Sequence, residues 1–346
     1  MRDIRELTQE ELTTFVKEKH EAAFRAKQIN EWLWKKNAAD FEAMYTVPVA
    51  LRKEMADCFT LSKMSIASYE QSRDGSLKYA LRLHDNHCIE MVLIPSGKRV
   101  TVCISLQVGC PLACAFCATG AMGFVRNLEM YELYEQVILA NELAQQKYNS
   151  GLSNIVLMGM GEPLLNFENV CSAIILITSA QGMAMSPYRI TLSTAGIASE
   201  IIRLADRKTG VGLAVSLHSA IDSQRKRLMP IADANPLYLL SQALVYFHKQ
   251  TNQRITIEYM LLADFNDSIQ DAQALALFCK SFPVKINIIE YNQTGRPQFK
   301  RTSKERMEAF TAFLQSKNML VQVRRSCGQD IDAACGQLAI KNNKAK

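Results

Sequence analysis

The sequence predicts an α/β fold in which a partial (β/α)6 barrel follows a small N-terminal helical accessory domain. From about residue 99, short apolar segments alternate six times with longer helical segments, as expected of an α/β barrel. The apolar segments are short, which is typical of parallel strands covered on both faces. We therefore divide the chain into an accessory domain (1–60), a hairpin-like connector (61–95), a core barrel (96–330) and a C-terminal tail (331–346).

Three helices are predicted in the accessory domain. Thr8 and Glu11 have the spacing of a capping box, and apolar residues at helical spacing follow them. Further helices are expected over Phe24–Trp34 and Pro48–Cys58. In the connector the apolar period changes to two, which predicts two strands joined by a turn at Asp85 and Asn86.

In the barrel, strands and helices are expected to alternate. The predicted strands are Arg99–Ser105, Asn154–Met158, Arg189–Ser193, Val211–Leu217, Ile255–Leu261, Lys285–Tyr291 and a last strand, Leu320–Arg324. The predicted helices are Met130–Lys147, Asn166–Gln181, Ile197–Asp206, Leu237–Gln250, Ser268–Ser281 and Lys304–Lys317. Barrels of this kind place their chemistry at the carboxyl ends of the strands, so functional residues are sought there.

Composition and charge restrict the classes of function. Hydrophobic residues make up 48% and charged residues 21% of the 346 residues, which excludes a disordered chain. No apolar segment approaches the roughly 18 residues of a membrane span, and the charged start at Met1–Glu6 lacks a signal core. We expect a cytoplasmic protein with no membrane partner. A net charge of +6 leaves a polyanionic partner such as RNA open.

The cysteines give the most specific signal. Cys110, Cys114 and Cys117 lie in one loop after the first barrel strand. Thiolates suit iron–sulfur centres, and three of them can hold three irons of a [4Fe–4S] cluster, leaving the fourth iron open. Zinc is the main alternative, but structural zinc usually takes four ligands in two separated pairs. No second close pair follows, and no histidine lies near this loop.

Four of the remaining cysteines are given a structural role. Disulfide scaffolding is not expected in a large domain in a reducing compartment. Four cysteines are interpreted as small buried apolar residues: Cys58, Cys88, Cys171 and Cys279.

The loop of three cysteines, with an aromatic residue at Phe116, resembles the signature of the radical S-adenosylmethionine (SAM) superfamily. That resemblance implies a [4Fe–4S] cluster and S-adenosyl-L-methionine as cofactors. It also implies SAM contacts at the strand ends, and these are Gly161, Glu162, Ser193, Ser216, Leu217, His218 and Asn292. Glu162 and the glycine-rich backbone around it are expected to hold the methionine ammonium.

Over nearly its whole length the sequence resembles the RlmN/Cfr family of ribosomal RNA adenine methyltransferases. The matching stretches include Ala23–Gln28, Cys103–Cys110, Cys117–Gly120, Met158–Asn166, Ser193–Gly196, Ser216–His218 and Met229–Ile231. The most specific is Asp330–Leu338, with the sequence DIDAACGQL. Leu164, Leu165 and Asn166 favour the carbon-2 branch of the family over the carbon-8 branch.

The resemblance implies covalent chemistry on two cysteines. The target carbon of adenine is an electron-poor C–H without a lone pair, so polar methyl transfer fails and a radical is needed. Cys335 would carry a methyl group from one SAM, and a radical derived from a second SAM would activate it. Cys103 would then release the RNA adduct by forming a disulfide with Cys335. Glu90 matches the position of a proton acceptor in the family.

The implied partners are 23S rRNA, with tRNA as a second candidate substrate, and an electron donor such as flavodoxin or ferredoxin. We expect a monomer. Candidate RNA contacts are the basic residues Arg25, Lys27, Lys35 and Lys36 of the accessory domain, and two segments interpreted as loops after strands, Arg225–Arg227 and Lys300–Arg301.

The chain departs from the family pattern just before the tail motif. The family usually has a charged Arg-Gly-Asp-like run there, and this sequence has Cys327-Gly328-Gln329. Cys327 could therefore interfere with, or join, the thiol exchange. Two alternative functions stay open: methylation of carbon 8, as in the Cfr branch, and a non-enzymatic iron–sulfur sensor that binds RNA.

Overall fold

The N-terminal region is helical, with an apolar core of its own. The structure, a computed structural model, describes residues 1–294 and 298–340. Its first helices are α1 (Gln9–Glu18), α2 (Phe24–Asn30) and α3 (Val49–Cys58). The predicted capping box is present at the start of α1, where Thr8 and Glu11 exchange hydrogen bonds. The second predicted helix continues beyond α2 as a π-helical turn over Glu31–Lys35.

A buried ion pair ties this region to the barrel. The Arg5 guanidinium donates to Asp3 at 2.8 Å and to Glu135, on the first long barrel helix, at 2.8 Å. Both carboxylates and the guanidinium are almost fully shielded from solvent. The three charges therefore fix the position of the accessory helices on the barrel, since a buried charge without its partner is strongly unfavourable.

The connector segment forms part of the main sheet. The predicted hairpin is present as β2 (Leu77–Arg82) and β3 (Cys88–Ser96), and a further strand, β1 (Ser65–Gln71), precedes it. These three strands pair antiparallel, and β3 also pairs with the first barrel strand. Sequence patterning missed β1 because all of its residues are exposed, so no alternation of apolar residues marks it.

The barrel strands lie close to the predicted bounds. They are β4 (Arg99–Cys103), β7 (Asn154–Leu157), β8 (Ile190–Thr194), β9 (Gly212–Ser216), β10 (Ile255–Leu261), β11 (Val284–Glu290) and β12 (Leu320–Arg324), with a short ribbon of β5 (Gln107–Gly109) and β6 (Phe124–Asn127) after β4. The helices are α4 (Ala118–Ala121), α5 (Met130–Tyr148), α6 (Phe167–Thr178), α7 (Ala198–Arg207), α8 (Asp222–Leu228), α9 (Leu237–Thr251), α10 (Ile269–Phe278) and α11 (Lys304–Ser316).

The sheet curves into an open barrel. Its order is β1-β2-β3-β4-β7-β8-β9-β10-β11-β12, and every neighbouring pair from β4 to β12 is parallel. Within the described residues, no pairing joins β12 back to β1 or β4. Residues from all seven parallel strands nevertheless line one cavity, so the sheet curls around it. This confirms the predicted partial barrel.

Two expectations about cysteines and membranes can be compared with the structure. Cys171 and Cys279 are buried, as predicted, but Cys88 is half-buried and Cys58 is exposed. The prediction for Cys58 was wrong because this residue ends α3 on its solvent side.

Among the described helices, none is both long and apolar enough to cross a membrane.

Candidate active site

A cavity lies at the carboxyl ends of the parallel strands. It has a volume of about 230 Å³, and most of the residues predicted from sequence meet on its walls. These residues are Cys103, Cys110, Cys114, Cys117, Gly161, Glu162, Ser193, Ser216, His218 and Cys335. The cavity therefore joins the cysteine loop, the strand ends and the tail motif, which are far apart in sequence.

The cysteine loop is fixed by backbone hydrogen bonds. The amide of Cys110 donates to Gly123 O at 2.8 Å, and the amide of Ala115 donates to Leu228 O at 2.8 Å. Gly109 has φ +77°, and a Cβ there would lie 1.9 Å from Gly123 O, so only glycine allows the loop to begin in this way. The sequence at Gly109 and the β5–β6 ribbon thus determine where the three thiols lie.

The three loop thiols suit a cationic cluster. Cys114 is buried, and Cys110 and Cys117 are half-buried. Burial raises the pKa of the Cys110 thiol to about 11 and that of Cys114 well above its usual value, and the neighbouring thiolates raise both further. Three adjacent thiols of this kind ionise together only when bound cations compensate their charge.

The arrangement of the loop thiols does not suit a single metal ion. Across residues 1–294 and 298–340, no three Cys, His, Asp or Glu side chains converge closely enough to bind one ion. In an iron–sulfur cluster the thiolates bind different iron atoms, so the donor set fits a cluster with three protein ligands.

The glycine-rich loop after β7 contacts the cysteine region through its backbone. Gly161 has φ +100°, and a Cβ there would lie 2.5 Å from the Gln107 side chain. The Gln107 amide oxygen accepts from the Glu162 amide at 2.9 Å. The loop therefore packs directly on the β5 strand that precedes Cys110.

Glu162 accepts hydrogen bonds that the sequence did not predict. Its buried carboxylate accepts hydrogen bonds from the Leu164 amide at 3.1 Å and the Ala195 amide at 2.8 Å. Burial raises the pKa of Glu162 to about 7, and these hydrogen bonds oppose the rise. The carboxylate thus joins the loops after β7 and β8 while it lines the cavity.

The later strand ends differ in how they reach the cavity. Ser193, Ser216 and His218 line it, whereas the Leu217 side chain lies in the apolar core and Asn292 lies behind the wall. The Asn292 amide donates to Ser326 at 2.9 Å and to the Cys335 carbonyl at 3.4 Å. Asn292 therefore supports the tail in this structure.

His218 is a neutral group. Its Nδ1 accepts from the Met260 amide at 3.1 Å, and burial lowers its pKa to about 3, with the charge of Arg225 adding to the effect. Its ring also packs edge-on against the Phe116 ring, and the two ring centroids are 4.8 Å apart. His218 can thus offer a ring edge to a nucleoside, without a positive charge.

The tail motif closes one side of the cavity. Described as far as residue 340, it is anchored by Asp330, which accepts from Ser72 Oγ at 2.5 Å and from the Arg73 amide at 3.1 Å. Lys78 donates to Ile331 O at 2.6 Å, and the Ala118 amide, beside the cysteine loop, donates to Gly336 O at 2.8 Å. These contacts place Cys335 between the cysteine loop and β12.

Cys103 and Cys335 face the same space. Cys103 ends β4 and is buried, whereas Cys335 keeps exposed surface as a residue although its thiol is enclosed by the atoms around the cavity. The pKa of Cys103 is raised to about 12, first by burial and then by the Cys335 thiolate. The two thiols are thus close enough for their charges to interact, although both are free.

Glu90 lies beside the cavity without lining it. Its side chain is on the same sheet face as Cys103, because Val92, two residues along β3, pairs with Cys103. Its Oε1 is 3.6 Å from Lys78 Nζ, and Oε2 is buried without a hydrogen-bond partner among the described residues. Burial raises the pKa of Glu90 to about 7, and Lys78 opposes the rise.

Three charged cavity residues were not predicted: Arg324, Arg325 and Glu258. Arg324, at the end of β12, lies 3.8 Å from Glu258 Oε1, and Asn287 donates to the same carboxylate at 2.9 Å. Both Arg324 and Glu258 line the cavity. A signal was present for Glu258, since it is a lone carboxylate within the apolar segment Ile255–Leu261.

One of the two segments predicted as RNA-binding loops is helical. Residues 225–227 form part of helix α8 rather than a loop. Arg225 is fully buried and donates to Asn235 O and Ala195 O, each at 2.7 Å. It was mistaken for an RNA contact because the sequence does not show that two carbonyls satisfy its charge. Lys300 and Arg301 are exposed, and Arg301 lies 3.7 Å from Glu290.

Comparisons with known proteins identify the family. The ribosomal RNA large subunit methyltransferase N-terminal domain (RlmN_N) matches residues 2–61, and the radical SAM superfamily matches residues 104–272. The chain is 48% identical to the probable dual-specificity RNA methyltransferase RlmN of Cytophaga hutchinsonii, covering 99% of this chain and 93% of the relative. It is 40% identical to the dual-specificity RNA methyltransferase RlmN of Campylobacter hominis, covering 100% and 99%.

A solved structure agrees with the sequence comparisons. A radical SAM methyltransferase from Sphaerobacter thermophilus superposes with a TM-score of 0.90 at 37% identity, covering 98% of this chain and 99% of that one. The agreement extends over the accessory helices, the barrel and the tail. The chain therefore belongs to the RlmN family of radical SAM RNA methyltransferases.

Proposed function

We propose that this enzyme methylates carbon 2 of an adenosine in 23S rRNA and in tRNA, through a methyl group carried on Cys335 and a transient disulfide between Cys335 and Cys103. The observation that carries the proposal is that both thiols and the three-cysteine loop face one cavity. The printed names of the relatives, dual-specificity RNA methyltransferases, support two classes of RNA substrate.

Cys110, Cys114 and Cys117 would hold a [4Fe–4S] cluster, and SAM would bind beside it at Glu162, Ser193, Ser216 and His218. When bound, the cluster supplies the electron that converts SAM into a radical source. The apolar walls of the cavity, such as Leu112, Met229 and Met260, would shield that chemistry from solvent. An electron donor such as flavodoxin or ferredoxin would be a second partner.

Cys335 would act as the nucleophile. Burial raises its pKa, and the Arg324 guanidinium opposes the rise. As a thiolate, Cys335 can take a methyl group from a sulfonium by ordinary substitution, and Arg324 is the cation that favours this form. Its position on a tail held from both sides, by Lys78 and by the Ala118 amide, keeps the methylated sulfur facing the cavity.

Cys103 and Glu90 would complete the reaction. Once the carried carbon is bonded to adenine, the base must lose its ring proton and the sulfur of Cys335 must be released. Glu90, with a pKa of about 7, is poised as a proton acceptor near neutral pH. Cys103 would attack the sulfur of Cys335 and form a disulfide, while the carbon–sulfur bond breaks and the released carbon takes up a proton to become the methyl group of the base.

The choice of carbon 2 over carbon 8 rests on the relatives. Leu164, Leu165 and Asn166 do not line the cavity, and the Asn166 amide bonds to the carbonyls of Leu106 and Leu128. Asn166 therefore has a structural role in this loop. Family membership also favours an enzyme over a non-enzymatic sensor.

Two single variants test the proposal. Cys335→Ala removes the carrier, so the protein should be inactive and purify without RNA. Cys103→Ala lets the adduct form but not resolve, so it should purify with RNA covalently attached through Cys335. Both variants remove the same side-chain atoms, so a general folding defect cannot give opposite RNA contents. If both purify free of RNA, the proposed thiol chemistry is wrong.

A further inference from the structure

A third thiol shares the cavity with Cys103 and Cys335. Cys327 lines the same cavity and is half-buried. It lies just after β12, where the chain turns back on itself: the Gly328 amide donates to Asp74 Oδ2 at 2.7 Å, and the Ala333 amide donates to Gly328 O at 2.9 Å. Cys327 and Cys335, which lie on either side of this turn in sequence, both line the cavity.

We propose that Cys327 is a redox thiol of this site, which takes over the disulfide formed between Cys103 and Cys335 and so returns Cys335 as a free thiol. This inference rests on the proposed function, because that function supplies the disulfide. The mechanism proposed above uses two cysteines and leaves Cys327 without a role.

One guanidinium serves all three thiols. Arg324 lines the cavity at the end of β12, three residues before Cys327. Its positive charge lowers the pKa of Cys103, Cys327 and Cys335, which opposes the rise that burial imposes on each. Because the thiolate is both the attacking and the leaving species in exchange, a shared cation stabilises each stage of a transfer among these sulfurs.

The first step moves the disulfide bond from Cys103–Cys335 to Cys103–Cys327 without net oxidation or reduction. The Cys327 thiolate attacks Sγ of Cys103, the Cys103–Cys335 bond breaks, and Cys335 leaves as a thiolate that takes up the proton lost by Cys327. No electrons are consumed in this step. A dithiol reductant then attacks Sγ of Cys327, Cys103 leaves as a thiol, and the reductant's second thiol completes its own oxidation to a disulfide. Two electrons thus enter from the dithiol.

The test compares the wild-type holoenzyme with Cys327→Ser. The matched control is Cys88→Ser, another half-buried cysteine, which does not line the cavity. After one turnover on protein-free 23S rRNA, with the one-electron donor present and no dithiol, the protein is acid-quenched, alkylated and mapped by mass spectrometry. We expect a Cys103–Cys327 disulfide in the wild type and in Cys88→Ser, and a Cys103–Cys335 disulfide in Cys327→Ser.

Multiple turnover provides a second readout. With the relay, dithiothreitol attacks the sulfur of Cys327, and without it dithiothreitol must attack the Cys103–Cys335 bond directly. At ~0.1 mM dithiothreitol, where this attack limits the rate, Cys327→Ser should therefore turn over more slowly than the wild type, and at ~10 mM the difference should disappear. Cys88→Ser should match the wild type throughout.

Two results would overturn the relay in distinguishable ways. If the wild type makes methylated adenosine but contains only the Cys103–Cys335 disulfide, and its rate equals that of Cys327→Ser at every dithiothreitol concentration, then Cys327 takes no part. If no protein makes methylated adenosine or any disulfide, the proposed function fails and the relay with it.

Discussion

Cys110, Cys114 and Cys117 are buried or half-buried thiols on one cavity wall, with raised pKa values at Cys110 and Cys114. Replacing any of them by Ser should abolish cluster binding, because no spare cysteine in the loop can take its place. Anaerobically purified protein should carry about four irons per chain, and the variants close to none. Cys58→Ser, at an exposed thiol, is the control. A colourless wild type that binds one zinc would contradict the assignment.

Glu90 should give the reaction a dependence on pH. Its pKa of about 7 in the folded protein means that the carboxylate needed to accept a proton is mostly absent at pH 6 and mostly present at pH 8. The rate should therefore rise through about pH 7, and Glu90→Gln should be slower by about 10²-fold or more. If Glu90→Gln keeps the wild-type rate and profile, Glu90 serves only as the partner of Lys78.

The raised pKa of Glu90 also affects the stability of the folded protein, which should fall, rather than rise, as the pH increases. Because the pKa of Glu90 is higher in the folded protein than its ordinary value of 4.5, the folded state favours the protonated form. The contribution of Glu90 to stability is therefore greatest at low pH and is lost as the pH rises through about 7. Glu90→Gln should show a smaller loss of stability between pH 5 and pH 8 in urea titrations.

Between elements, Arg5 joins the N-terminal region to α5 through its ion pair with Glu135. Arg5→Ala would leave the carboxylates of Asp3 and Glu135 buried without their cation, so it should lower the free energy of unfolding by about 3–5 kcal/mol. Arg2→Ala is the matched control, since Arg2 pairs with Glu6 and Glu11 at the surface, where such pairs contribute ~0–1 kcal/mol. Similar urea midpoints for the two variants would contradict the role given to Arg5.

Across the whole molecule, regular patterns were predictable and packing was not. The parallel strands could be placed because each is an apolar run, and β10 and β12 lie at the predicted bounds. Strand β1 has no apolar face, so sequence offers no signal for it. Arg225 resembles a surface residue until the fold brings two carbonyls to it. Arg324 and Glu258 meet only because β10, β11 and β12 are adjacent in the sheet.

The cysteine site was predictable for a different reason. The loop at Cys110 and the motif around Cys335 are continuous in sequence, so their chemistry can be inferred from residue types and from family resemblance. The loop and the motif meet Cys103, Cys327 and Arg324 at one cavity. This meeting depends on the curvature of the sheet and on the turn at Gly328. Neither leaves a local pattern in the sequence.

The identity of the methylated nucleoside tests the central claim most directly. The reconstituted enzyme is incubated with SAM, a reductant and unmodified 23S rRNA or tRNA, and the digested RNA is analysed by mass spectrometry against synthetic standards. We predict 2-methyladenosine in both RNAs, and none with Cys335→Ala. A product of 8-methyladenosine would place the chain in the carbon-8 branch, and the absence of any methyladenosine in either RNA would contradict the proposed function.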